Sequence, residues 1–393
     1  MNSHLRTTAG ISDFTRTRGN DMNIAIAGFG KMGKDIFTFF FDNLKNAGFT
    51  ILVRSGAEEY TADVVKTLDK QLRRKKLTQE EYEAKKSAFR FTCDPSDLVG
   101  CDAVIETITE NLEAKNLLFR NIAGIVSDNC LLMTNTSSLN IEKVFEGVSN
   151  PQRCMGMHFF YPVKLSEFVE LNLLDNTSDE ALHFAESLVN DCGRRCIRFY
   201  GDYHVYLNQI LSAMVSNGIY LCEYFHTSVQ ALSDSLEKIY TVTGVFDILD
   251  SVGLGLMAEN QTNFRLERNK QLLGYGCDKM KYWLCQGCPD SSRSFLDFIS
   301  SHEQESTEIC DDAPIYMAAF ILAETSFALE ESGIRPDLLL EAVSSTLGTV
   351  DTLPDMYRKY GAEKLVSALD KLYEKTGFAS YRYDADLLEK YYS

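Results

Sequence analysis

Asn23-Ile24-Ala25-Ile26-Ala27-Gly28-Phe29-Gly30-Lys31-Met32-Gly33 runs a short apolar strand straight into three spaced glycines, and the pattern that follows predicts a helix. Strand, G-x-G-x-x-G and helix is the order that a dinucleotide-binding turn requires. Gly28 makes the tight turn, Gly30 lets the backbone approach a pyrophosphate, and Gly33 allows the helix to pack close to the strand. The helix N-terminus then holds the phosphate charge. Phe29 and Met32, between these glycines, are counted with the cofactor-binding residues. Because the motif opens the first strand-helix-strand unit, it points to a nicotinamide or flavin dinucleotide; the alternative is a chance glycine turn. An NAD site places an acid about 20 residues further on, accepting from the ribose hydroxyls. Here the apolar run 50–53 ends in Arg54-Ser55. A guanidinium and a hydroxyl there suit a 2′-phosphate, which leans the site toward NADP; a solvated Arg54 beside an NAD adenine is the other reading.

Outward from this turn, β-branched runs at 24–27, 50–53, 103–108, 131–134, 155–160 and 168–171 alternate with helical stretches. Such alternation predicts an α/β domain with a largely parallel, Rossmann-type sheet. After Asn208 the strand signals stop, and periodic apolar stretches at 211–232 and 313–332 take over. The fold class expected is α/β followed by all-α, with two related helical modules repeating at roughly 105 residues. The divisions are 1–21 as an extension, 22–203 as the dinucleotide-binding domain, 204–264 and 313–393 as the modules, and 265–312 as an irregular, glycine-containing connector. Arg6, Arg16 and Arg18 in the extension leave a transit peptide as an alternative to disordered chain or the product of an upstream start codon.

The 393 residues carry a net charge of -17, which disfavours nucleic acid and anionic membrane as partners. Uninterrupted apolar runs, such as 317–323, are far shorter than the roughly 18 residues that cross a bilayer. Eleven cysteines at irregular spacing fit reduced thiols in the cytoplasm. Cys285-Gln-Gly-Cys288 lacks a second well-spaced pair, so no metal site is expected.

His158 ends an apolar strand, and Glu170 follows after enough chain for a turn and a returning strand. A His paired with a carboxylate is poised as a general base near neutral pH; by spacing alone a satisfied core His is the better bet. Thr134-Asn135-Thr136-Ser137-Ser138 closes another strand where ligands of such sheets bind, and its hydroxyls suit a substrate oxygen, although such clusters are commonly turns. Between Lys66 and Arg90 nine basic residues, Lys70 and Arg73 among them, stand against four acidic ones in an expected helical hairpin. That stretch is either an anion-binding face or a solvated one.

Taken in order, Gly28 to Gly33, Glu106-Thr-Ile-Thr-Glu110-Asn-Leu-Glu-Ala-Lys115, Asn135-Thr-Ser137-Ser138, His158-Phe-Phe, Glu170, Asn208 and Gly244 to Gly253 resemble the L-3-hydroxyacyl-CoA dehydrogenase family. The tandem helical modules look like the C-terminal part of multifunctional fatty-acid oxidation proteins. The resemblance implies a pyridine-nucleotide-dependent oxidoreductase of 3-hydroxyacyl thioesters, with NAD as the family default. It implies His158 and Glu170 as the catalytic pair, Ser137 and Asn208 on the reacting oxygen, and Glu110, Lys115 and Asn135 by the cofactor. It also implies a substrate-binding role for Tyr161, Lys66, Lys70 and Arg73, with CoA or an acyl carrier protein as the thioester carrier, and a homodimer. The chain departs from the family pattern in four places: Tyr161 stands for Asn, Tyr203 to Leu207 replaces Pro-Gly-Phe before Asn208, Gln209 stands for Arg after it, and Arg54 stands for Asp. A crystallin-like protein without turnover, or a dehydrogenase of small hydroxyacids relying on a Lys, are the rival readings.

Overall fold

The protein is described by a computed structural model covering residues 22–201, 205–240, 244–264, 267–290, 295–302 and 308–393. The extension expected over 1–21, the boundary at 203–204 and part of the acidic stretch before Asp312 lie outside the described residues. The described chain falls into two compact units, one running to Thr136 and again from Ile141 to Gly201, the other made of Ser137–Asn140 and the residues from Val205 on.

The first unit is built on an eight-stranded sheet: β1 (Met22–Ala27), β2 (Ala47–Leu52), β3 (Phe89–Thr92), β4 (Ala103–Glu106), β5 (Leu131–Thr134), β6 (Cys154–Phe159), β7 (Phe168–Leu173) and β8 (Arg195–Tyr200). Their spatial order is β3-β2-β1-β4-β5-β6-β7-β8. All neighbours are parallel except β6 and β7, which run antiparallel. Helices α1 (Lys31–Asn43), α2 (Ala57–Arg73), α3 (Gln79–Ser87), α4 (Leu112–Ala123), the short α5 (Ile141–Val144) and α6 (Asp179–Asp191) supply the connections. Interior strands covered on both faces read as continuous apolar runs, and β4, β5 and β6 are buried at every position. The order reverses direction at β1, which lies between β2 and β4; ligands of open parallel sheets bind in the crevice at such a point.

Two strands escaped the sequence reading. Phe89–Thr92 and Arg195–Tyr200 are the sheet edges, where Arg90, Arg195 and Arg198 are exposed. Edge strands are commonly marked by charge, so their alternation lacks the apolar run that identifies interior strands. Beneath β1 to β3, Phe37, Phe41, Phe49, Phe89 and Phe91 form an aromatic cluster of stacked, tilted and edge-on pairs that seats α1 on the sheet.

The second unit is helical: α7 (Tyr206–Phe225), α8 (Val229–Leu236), α9 (Asp247–Val252), α10 (Leu254–Asn263), α11 (Lys270–Cys285), α12 (Phe295–His302), α13 (Ala313–Ser332), α14 (Pro336–Leu347), α15 (Leu353–Tyr360), α16 (Ala362–Thr376) and α17 (Ala385–Tyr392). Helices α7 to α10 and α13 to α16 form the same series. In both, a 20-residue helix ends on a left-handed residue, His226 or Gly333. In both, the fourth helix starts from a glycine of matching conformation, Gly253 (φ 94, ψ 140) or Gly361 (φ 80, ψ 144). An antiparallel bridge between Tyr240 and Thr349 joins equivalent loops.

The stretch 265–312, read as an irregular connector, instead holds α11 and α12. Gly276 lies inside α11 because a Cβ there would sit 2.8 Å from Ser216 Cβ and 3.2 Å from its Cα. The glycine marks a close helix crossing with α7 and not a break. Helix α13 reaches a mean hydropathy of 1.2 over an 18-residue window, enough by length and composition to cross a membrane, which short apolar runs alone do not show; 83% of that window is buried inside the fold, as in a core helix.

Candidate active site

The cofactor turn follows from the sheet. Gly28 takes φ 109, in the left-handed region, and a Cβ there would lie 2.8 Å from the Thr107 carbonyl carbon. Thr107 Oγ1 donates to Gly28 O (3.0 Å) and so ties β1 to the end of β4. At Gly33 a Cβ would lie 2.4 Å from Gly28 O, whereas at Gly30 nothing stands within 4 Å. Gly30 is the N-cap of α1, with no capping side chain and no acid in the first turn. The open space and the uncapped N–H groups fit a pyrophosphate. The Phe29 ring, by contrast, points into the aromatic cluster, 4.7 Å from Phe91 and 5.2 Å from Tyr60, and Met32 packs on the same core. Both support the turn from below; their side chains belong to the core. Arg54 and Ser55 follow β2, exposed, ahead of the N-cap Gly56 of α2.

At the carboxyl end of β4 the sequence motif becomes a buried ionic group. Lys115 Nζ lies 2.6 Å from Glu106 Oε1 and 3.3 Å from Glu110 Oε2, with Lys115 and Glu106 almost wholly buried. Glu106 also accepts from Thr134 Oγ1 and from Ile108 N, each at 2.6 Å. Burial pushes the Glu106 carboxyl up, and Lys115 with these donors opposes the rise. Removing either partner of such a pair leaves a buried charge, a loss of about 3–5 kcal/mol. Glu110, partly exposed, accepts from Thr136 Oγ1 at 2.6 Å. Glu106 was not singled out from the sequence as a site residue, the available signal being an acid closing an otherwise apolar strand; Thr134 and Thr136, whose hydroxyls were read toward a substrate oxygen, bond Glu106 and Glu110 instead.

His158 and Glu170 stand directly opposite each other in the β6-β7 ladder, both buried. The edge of the imidazole meets the Phe160 ring at 4.7 Å between centroids. Burial lowers the His158 pKa from 6.5 to about 4, with Glu110 pulling it partly back up. A neutral imidazole at neutral pH is the form that accepts a proton. Asn135 Oδ1 accepts from Phe159 N (2.9 Å), so this side chain braces the strand end next to His158. Tyr161 is half-exposed, with Lys31 Nζ 3.8 Å from its ring centroid. In the helical unit, Asn208 Nδ2 donates to Ser137 O (3.2 Å) and Asn263 Nδ2 to Ser138 Oγ (3.2 Å).

The basic stretch is a helical hairpin, α2 and α3, as expected. Lys85 is held by Asp42 and Phe41 O, and Arg90 by Thr50 and the Asp97 region, so these two are structural. Lys66, Lys70, Arg73, Arg74, Lys75, Lys76 and Lys86 are exposed. The eleven cysteines are free, and among the described residues no cluster of His, Cys, Asp or Glu is arranged to hold a metal.

Residues 23–203 match the family model of the 3-hydroxyacyl-CoA dehydrogenase NAD-binding domain. A probable 3-hydroxybutyryl-CoA dehydrogenase of Deinococcus radiodurans is 31% identical over 205 residues, spanning 50% of this chain and 71% of that protein. Its counterpart in Bacillus subtilis is 30% identical over 220 residues, spanning 55% and 75%. The 3-hydroxybutyryl-CoA dehydrogenase structure from Escherichia coli superposes with a TM-score of 0.74 at 17% identity, covering 94% of this chain and 98% of that one, which shows that the helical half shares its fold too. With the fingerprint turn, the Glu106–Lys115 motif and the His158–Glu170 pair all in place, the chain belongs to the 3-hydroxyacyl-CoA dehydrogenase family.

Proposed function

We propose that the protein interconverts a 3-hydroxyacyl-CoA and its 3-oxoacyl-CoA with a nicotinamide dinucleotide. The observation that carries this is the buried His158, paired across the ladder with Glu170 in the unit that bears the dinucleotide turn. When bound, the dinucleotide supplies the acceptor or donor of the C3 hydride. In the oxidative direction neutral His158 takes the proton of the C3 hydroxyl as the hydride leaves C3. Glu170 holds the imidazole and stabilises the imidazolium, as the carboxylate does in a catalytic triad. Ser137 and Asn208 are assigned to the substrate oxygen by their match to the family. In reduction the imidazolium returns the proton to the 3-oxo oxygen. A turnover assay with acetoacetyl-CoA and each reduced cofactor tests this; binding without turnover of any 3-oxoacyl thioester supports the crystallin-like reading instead.

The same reading extends to cofactor choice. Arg54 stands exposed where an acid would repel a 2′-phosphate. A charge-assisted contact contributes about 1.5 to 3 kcal/mol, or roughly 10-fold to 150-fold in affinity. NADPH should therefore bind more tightly than NADH, and Arg54→Asp should reverse the order; tighter NADH binding in the unmodified protein overturns this.

The seven exposed cations of the hairpin support a phosphate-bearing carrier, CoA in the first instance. An acidic acyl carrier protein would meet the same surface, and comparing KM for the two thioesters separates them. Exposed Leu256, Tyr282, Ile309 and Val350 support a homodimer, checked by sedimentation, and the free thiols support a cytoplasmic location.

A further inference from the structure

Lys115 is shared by two carboxylates, and one of them, Glu110, is bonded to Thr136 just past the end of β5, the strand that pairs with the His158 strand β6. The contacts of Glu106 are all donors: Lys115 Nζ and Ile108 N on Oε1, Thr134 Oγ1 on Oε2. That set matches an ionised carboxylate. Glu110, 3.3 Å from the same ammonium, accepts from Thr136 Oγ1, and its charge favours the protonated form of His158. Thr136 N in turn donates to Thr134 Oγ1 (3.2 Å), so both carboxylates are held by one segment at the end of β5.

We propose that Glu106 is a positioning residue that shares Lys115 with Glu110, so that the Glu106–Lys115–Glu110 group keeps a net negative charge toward His158. The proposal rests on His158 being the catalytic base. Two carboxylates and one ammonium leave one negative charge. If Glu106 loses its charge, Lys115 pairs wholly with Glu110, the group becomes neutral, and the imidazolium loses its support. The proton affinity of His158 then falls. Of the neighbouring charges, Glu170 faces His158 from β7, and Lys31 at the start of α1 is held over the Tyr161 ring, three residues beyond it.

The test is Glu106→Gln in the full-length protein, read in two ways. The first is the acid limb of kcat/KM against pH; the second is the ring titration of His158 by NMR of histidine-labelled protein without substrate, assigned by its loss in His158→Gln. Both midpoints should move to lower pH by about half a unit or more, equal to roughly a threefold loss of proton affinity. Glu106→Asp, which keeps the charge, should restore the wild-type midpoint even where stability has fallen. If Glu106→Gln does not fold, Thr134→Val, which removes one donor from the carboxylate and favours its neutral form, should shift the midpoints in the same direction by less. Unmoved midpoints in these variants, with only stability lowered, overturn the proposal and leave Glu106 a structural anchor. Absence of turnover in the unmodified protein counts against the proposed function and leaves the NMR titration to decide the role of Glu106.

Discussion

His158 is held neutral by burial, and that has a consequence for stability as well as chemistry. An unfolded chain protonates this histidine near 6.5, the folded one only near about 4. Between those values the unfolded state binds the extra proton, so the stability present above pH 6.5 is progressively lost as pH falls toward 4. The melting temperature of the unmodified protein should therefore drop more steeply over that window than that of His158→Gln; parallel curves would show that His158 titrates normally in the folded state. The pairing with Glu170 was legible in the sequence as a spacing and through the family resemblance. Their direct opposition required the antiparallel β6-β7 register. The role of Glu106 was hidden because a single acid ending an apolar strand has no pattern of its own; its partner Lys115 lies nine residues away on the next helix.

At the scale of elements, the interior strands were readable because burial on both faces leaves an uninterrupted apolar run, and the edge strands were not, because Arg90, Arg195 and Arg198 interrupt theirs. Helix α11 was missed for a related reason: Gly274 and Gly276 read as breakers, yet only one is needed. A Cβ at Gly276 meets Ser216 backbone at 3.2 Å, while nothing lies within 4 Å of one at Gly274. Gly274→Ala should stabilise the protein by about 0.5–1 kcal/mol through helix propensity. Gly276→Ala should destabilise it by about 1–3 kcal/mol through overpacking against α7. Denaturant titration of the two variants checks the contrast, and equal effects would mean that the α7–α11 crossing is not close.

Across the whole molecule, a chain of net charge -17 presents seven exposed cations on one hairpin. A polyanionic ligand would be drawn to that patch against the repulsion of the net charge. Reversing Arg73 and Arg74 to Glu should raise KM for the CoA thioester and weaken its salt dependence, with turnover of a short pantetheine analogue nearly unchanged. An unchanged KM would make the hairpin a solvated face. The sequence announced the hairpin and the two-part architecture, through periodicity and charge, but not which cations remain available once Lys85 and Arg90 have been taken by Asp42, Thr50 and Asp97.

The proton-transfer role of His158 is open to one direct measurement: steady-state reduction of acetoacetyl-CoA by the unmodified protein and by His158→Gln, at saturating reduced cofactor and with cofactor affinity measured on both. If His158 is the general acid and base, the variant binds cofactor as the unmodified protein does and loses about 10² to 10⁴ in kcat. A kcat within a few-fold of the unmodified protein would mean that the proton moves through another group.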